Sequence, residues 1–214
     1  MLLLLDRLEL DRVDLIAHDW GAWTGFRMCL EHPERIDHYL ALNMITPWPP
    51  PPSPKALLGL WRLWYQVALA VPGGASMLLG RTDFISRLVS TGSVHRDAWS
   101  RQDLKVFQDT LREPARIQAT KRLYRTFLTR ELAPYVAGRF GKKRLSVPTL
   151  LLHGTRDPAI DHRRLGDWQA NADEMAVELR HDSAHFIAEE LPEFVAARAK
   201  ALFDGARPAD IVSQ

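Results

Sequence analysis

The chain carries a single cysteine, Cys29. One thiol cannot close an internal disulfide, so a small scaffold stapled by bridges is excluded. An excess of one charge is also missing. The 28 Lys and Arg residues face 26 Asp and Glu, a net of +2. That balance leaves no basic footprint for nucleic acid. Long apolar runs are absent too. Leu2-Leu3-Leu4-Leu5 is followed at once by Asp6, with no basic residue before it. A signal core needs about 7–15 apolar residues and a spanning helix about 20. Leu2 to Leu10 therefore reads as an amphipathic helix with its leucines on a core. No membrane span is expected, and the cytoplasm is the expected location.

What is present suits a folded globule. The 214 residues are 46% hydrophobic and 25% charged, ordinary values that rule out disorder as the main state. Val13 to Ala17 is a short β-branched, apolar run, read as a buried strand. His18-Asp19-Trp20-Gly21 is a sharp turn, and Ala22 to His32 has helical spacing up to Pro33. Ile36 to Asn43 is a second strand. Strand, turn, helix and strand make a βαβ unit, so the sheet is expected to be parallel.

Six of the eight residues from Pro47 to Pro54 are proline. Such a stretch is stiff and cannot be helix. Beyond it the pattern is helical to about Lys143: Ala56–Val71, Ser76–Val89, Arg96–Leu111 and Pro114–Leu132. Strand signal returns at Val147 to Gly154 and, more weakly, at Met175 to Leu179. Arg163 to Ala172 and Ala184 to Phe203 read as helices, the latter interrupted at Pro192. The expected organisation is a discontinuous α/β core at 1–47 and 144–204, an all-helical cap at 48–143, and a flexible tail at 205–214.

The chemistry centres on the turn at Asp19. Ala17 and Gly21 flank it at minus two and plus two. A tight strand-to-helix elbow favours small residues there and holds its central side chain exposed above the sheet. The next N–H, from Trp20, then opens an oxyanion site at the helix N-terminus. An aspartate in this place is ionised at neutral pH and needs no base. It can displace a leaving group at an sp³ carbon and form an ester that water later cleaves. Asp19 equally suits a plain helix N-cap, and the turn alone leaves both readings open. Asp157 follows the strand ending at Gly154, where α/β sheets place functional groups. His185 comes 28 positions later, between the last strand and a helix. His181 is a rival at the strand end itself.

Nucleophile, acid and histidine in that order resemble the triad of α/β-hydrolases. More closely, the chain is similar to the epoxide hydrolase group, with haloalkane dehalogenases as near relatives. The matching residues are His18-Asp19-Trp20-Gly21-Ala22, His32-Pro33-Glu34-Arg35-Ile36, Gly154 to Asp157, and Ala184-His185-Phe186 with Glu189, Pro192, Phe194 and Val195. The resemblance implies an α/β-hydrolase fold with an inserted helical cap. It also implies Asp19 as nucleophile, with His185 and Asp157 activating water. Tyr124 in Arg122-Leu123-Tyr124-Arg125 is similar to a cap tyrosine that protonates the oxirane oxygen. Tyr65 sits where the family's first cap tyrosine falls. A halide needs no proton, so a tyrosine pair favours the epoxide. Trp20, Trp61 and Trp64 are candidates to line an apolar pocket, and His18 joins Trp20 on the oxyanion and substrate side.

The expected substrate is thus a small apolar epoxide, or alternatively a haloalkane, with no metal or organic cofactor. A homodimer is one assembly left open. One departure counts against a complete enzyme. Family members carry four strands and a His-Gly-x-Pro loop before the elbow, and that loop supplies a second oxyanion donor. Here no His-Gly-x-Pro occurs, and one helix precedes the elbow strand. The expectation is an N-terminally truncated chain whose true start lies upstream. An inactive or incomplete hydrolase fragment remains the other reading.

Overall fold

The computed structural model describes residues 1–51 and 64–213. Helix α1 (Leu2–Arg7) leads to strand β1 (Val13–His18), helix α2 (Trp20–Glu31) and strand β2 (Ile36–Leu42). Helices α3 (Trp64–Ala70), α4 (Gly74–Arg81), α5 (Phe84–Thr91), α6 (Arg101–Arg112), α7 (Pro114–Thr126) and α8 (Leu132–Val136) follow. The chain then returns through β3 (Thr149–Gly154), β4 (Met175–Arg180) and helices α9 (Ile187–Glu190), α10 (Pro192–Phe203) and α11 (Pro208–Val212). Among the described residues no helix is long and apolar enough to cross a membrane.

The four strands form one sheet in the order β1-β2-β3-β4, and every pairing is parallel. Side chains alternate across it, as the two-residue period requires. Tyr39, Ala41 and Leu151 face a core with Trp23 and Phe26 of α2. Leu40, Leu42, Leu150 and Leu152 face the other core, with Ile187, Val195 and Leu202. Being covered on both faces explains why β3 reads as a continuous apolar run. Because all strands point one way, their carboxyl ends lie along a single edge.

Several expectations change in the structure. Helix α1 stops at Arg7, and only Leu5 of its leucines is buried. Leu3, Leu4, Leu8 and Leu10 remain exposed. The expected helix at Arg163–Ala172 reduces to one 3-10 turn, His162–Arg164. Gly166 ends it: φ is +77°, and a Cβ there would meet the Trp48 carbonyl. Residues 205–213, expected to be part of a flexible tail, are not frayed. Within them α11 buries Ile211 to 1% exposure against β4 and α10. Trp48, read as the start of the cap, packs in the sheet's core and donates to the Phe140 carbonyl at 3.0 Å.

The helical stretch is also more broken than its periodicity suggests. Thr82 divides Ser76–Val89, its Oγ1 donating to the Leu78 carbonyl and accepting the Phe84 N–H. A π-helical turn, Phe127–Glu131, separates α7 from α8. The region expected to be helix at 56–63, with Trp61 in it, lies outside the described residues.

The small residues of the elbow matter in an unexpected place. A Cβ on Gly21 would make an ordinary contact, 3.7 Å from the Ala17 Cβ. A Cβ on Gly25 would lie 2.7 Å from the Tyr39 ring. Close packing of α2 on β2 therefore depends on Gly25, one turn further on. Forcing a methyl into such a contact costs about 1–3 kcal/mol. Gly25→Ala is expected to lose that much stability in urea unfolding, while Gly21→Ala stays at wild-type stability. Equal stability of the two variants would contradict this account of the α2–β2 contact.

Candidate functional site

Asp19 is held by strain, not by helix capping. Its φ of 50° and ψ of −123° lie where non-glycine residues rarely sit. Such a conformation costs on the order of 1–3 kcal/mol and persists only when its surroundings enforce it. Its N–H donates to the Leu42 carbonyl at 3.2 Å, which pins the turn to the next strand. It occupies the N-cap of α2, yet its side chain makes no capping hydrogen bond. The half-buried carboxylate lies close enough to His18, His185, Tyr65 and Tyr124 for its charge to act on each. Trp20 is the first residue of α2, where a helix N–H has no intrahelical acceptor.

Asp157 is buried, with no exposed side-chain surface. Four donors converge on it. Ala159 and Ile160 N–H groups reach Oδ1 at 2.8 and 2.9 Å. His185 Nδ1 and Asn43 Nδ2 donate to Oδ2 at 2.8 and 2.9 Å. Burial opposes its ionisation, but His185 and these donors outweigh that and hold it below the usual aspartate range. His185 experiences the converse. Burial favours its neutral form, yet the Asp157 carboxylate and hydrogen bond, with Asp19 adding, push it up to about 9.

His18 sits against His185 with ring centroids 4.7 Å apart. Its Nε2 donates to the His185 carbonyl at 2.7 Å. That nitrogen is therefore engaged with the histidine loop rather than free for substrate. Burial, then the neighbouring His185, keeps His18 below the usual histidine range. The rival His181 is exposed and pairs with Thr155 Oγ1 at 3.1 Å, away from Asp157.

The two expected tyrosines meet over the elbow. Their ring centroids are 6.0 Å apart, and Tyr124 packs edge-on to Trp20 at 5.5 Å. Both belong to one helical core with Leu69, Leu79, Ile85 and Ile117. Burial pushes both phenols up, and the Asp19 charge adds to each. They therefore keep their protons at neutral pH. Trp64 and Tyr65 line a cleft of about 1040 Å³ with Phe84, Leu88 and the Asp157 turn. Trp64 stays 54% exposed at that cleft. Trp20 instead borders a second hollow of about 610 Å³, between α1, α2 and α7.

Two buried groups went unnoticed in the sequence. Asn43, with φ of 41°, follows β2 and joins Asp157 to the Gly154 N–H. The signal available was its place at a strand end beside the elbow strand. The other is Glu190, treated below.

A parallel sheet with an aspartate elbow after β1, a buried acid after β3 and a histidine after β4 defines an α/β-hydrolase arrangement. The chain belongs to this family: the model described as "alpha/beta hydrolase fold" matches residues 1–192. A haloalkane dehalogenase from Mycolicibacterium paratuberculosis is 26% identical over 157 residues, 73% of this chain and 48% of that protein. Haloalkane dehalogenase 1 from Mycobacterium bovis is 30% identical over 91 residues, 42% of this chain and 26% of its own. The chain thus spans half or less of the curated relatives it matches. Among solved structures, epoxide hydrolase CorEH superposes with a TM-score of 0.75 at 19% identity, covering 94% of this chain and 71% of that one. A Salmonella enterica protein provisionally assigned as an acyltransferase gives 0.78 at 20% identity, covering 95% and 67%. These likenesses show the fold.

The raised value of His185 carries a stability consequence. Its folded value exceeds the ordinary 6.5, so its contribution is fully present below pH 6.5. It is lost as pH rises through about 9. Removing the Asp157 charge should remove that dependence. The difference in melting temperature between wild type and Asp157→Asn is expected to shrink from pH 6.5 to pH 9.5. A difference that stays constant over this window would show that the pair is not coupled as described.

Proposed function

We propose that the protein is a hydrolase that opens epoxides to diols through a covalent ester on Asp19. The observation that carries the reading is the tyrosine pair packed against Trp20, next to a strained, uncapped elbow aspartate. Asp19 attacks an oxirane carbon, and the carbon–oxygen bond breaks. Tyr124, with Tyr65, gives a proton to the leaving alkoxide, so no free oxyanion is released. The His185 imidazolium returns a proton to the tyrosinate, and the neutral ring then takes a proton from water, which attacks the ester carbonyl, with Asp157 orienting the ring. The Trp20 N–H steadies the tetrahedral oxyanion. Collapse returns Asp19 and releases the diol. The cleft beside Tyr65 and the Asp157 turn is the place for the substrate's apolar body.

A second reading has its own support. The curated relatives carry the name haloalkane dehalogenase. The same aspartate could displace a halide, and the same histidine could hydrolyse the ester. That chemistry has no use for a phenolic proton.

Both readings require the ester. Asp19→Asn is expected to lower product formation by at least about 10³-fold and to abolish the substrate-mass adduct seen in quenched wild type by mass spectrometry. An adduct that persists in the variant would remove Asp19 from the mechanism. The tyrosines separate the two substrates. Tyr124→Phe is expected to slow epoxide opening by about 10²–10⁴-fold while leaving any halide release within about twofold. Epoxide turnover untouched by the substitution, with halide released from haloalkanes, would select the dehalogenase instead.

A further inference from the structure

We propose that Glu190 is a positioning residue for His185, tying the histidine loop to the base of the helical region. Glu190 lies on α9 and is 7% exposed. Its Oε1 accepts the main-chain N–H groups of Val94 and His95, the latter at 2.9 Å. Its Oε2 accepts the N–H of Ala184 at 2.7 Å. One carboxylate thus joins the segment after α5 to the residue just before His185. Among the described residues no Lys, Arg or His forms an ion pair with it.

A buried carboxylate without a cation is costly unless hydrogen bonds replace its water. Here three main-chain donors do so. Only an acceptor on both oxygens satisfies all three, since an amide would turn a second donor toward one of them. The residue type is therefore matched to the site.

Neighbouring contacts run the same way. The His185 N–H donates to the Gly92 carbonyl at 2.9 Å. His95 Nε2 donates to the Asp182 carbonyl at 2.8 Å. Trp99 packs edge-on to Phe186, centroids 5.3 Å apart, and its Nε1 donates to Ser93 Oγ at 2.9 Å. The loop from Asp182 to Phe186 is therefore indexed against residues 92–99, with Glu190 as the central link. Small misplacement of a catalytic group costs rate steeply.

The inference rests on the hydrolytic role given to His185 above. Ester formation uses Asp19 and the tyrosines; ester hydrolysis uses His185. Glu190→Gln keeps the shape and reverses one donor–acceptor contact. In single-turnover kinetics with a small epoxide such as styrene oxide, it is expected to slow ester hydrolysis at least tenfold. Ester formation should stay within about twofold, so that the adduct accumulates. In parallel, imidazole NMR should show the His185 titration displaced from its wild-type midpoint. Hydrolysis at the wild-type rate, or equal slowing of both steps with an unmoved titration, overturns the proposal. If the glutamine variant fails to fold, Glu190→Asp keeps the charge and loses reach by one methylene, and the same outcomes apply. If wild type forms no ester, the functional reading fails, and the titration still decides the positioning role.

Discussion

The site depends on one buried carboxylate. Asp157 gathers donors from three directions: its own turn through Ala159 and Ile160, the end of β2 through Asn43, and the loop after β4 through His185. These segments are far apart in sequence, with 114 positions separating Asn43 from Asp157. Parallel strands bring them to one edge, and the Asp157 charge keeps them in register. A neutral residue here would strand several donors in a buried place, where each costs free energy. The same charge fixes His185 in its ring orientation. Structure and chemistry therefore share a single group.

The helical region closes the other side. Trp20 and Phe186, which follow Asp19 and His185 directly, both pack on the helical core that contains Tyr65 and Tyr124. Docking that core onto the sheet thus places two phenols near Asp19 in the same event. Phe127, at the π-helical turn after α7, adds an edge-on contact to Trp20 at 4.7 Å. Such turns mark places where a helix is re-aimed. Here the re-aiming also lets Glu131 reach Trp23 and Arg27 of α2.

The strands and the elbow were legible because their signals are local. An apolar run, a turn with an acid at its centre and a helical period are each contained in a few residues. The pairing of His185 with Asp157 was legible through chain order. What stayed hidden depends on distant partners. Asn43 looks like the last residue of a strand, and Glu190 looks like a solvated helix residue, until Asp157 and the 94–95 segment are brought beside them. Gly166 could be read as a helix residue because the Trp48 carbonyl that excludes a side chain there is 118 positions away. The terminal helix was missed for a related reason. Pro208 to Val212 is too short to be helical alone, and it holds because Ile211 finds a place on β4 and α10.

The electrostatics explain why an aspartate suits this elbow. With His185 pushed up to about 9, the free site carries a proton on the imidazole at neutral pH. An aspartate at position 19 needs no base to activate it. Under the proposed mechanism the first step changes this balance. Esterification removes the Asp19 charge, one of the anions that raise His185. The imidazole then releases its proton more readily and becomes available as the base for the second step. On that mechanism the charge of Asp19 links the two half-reactions.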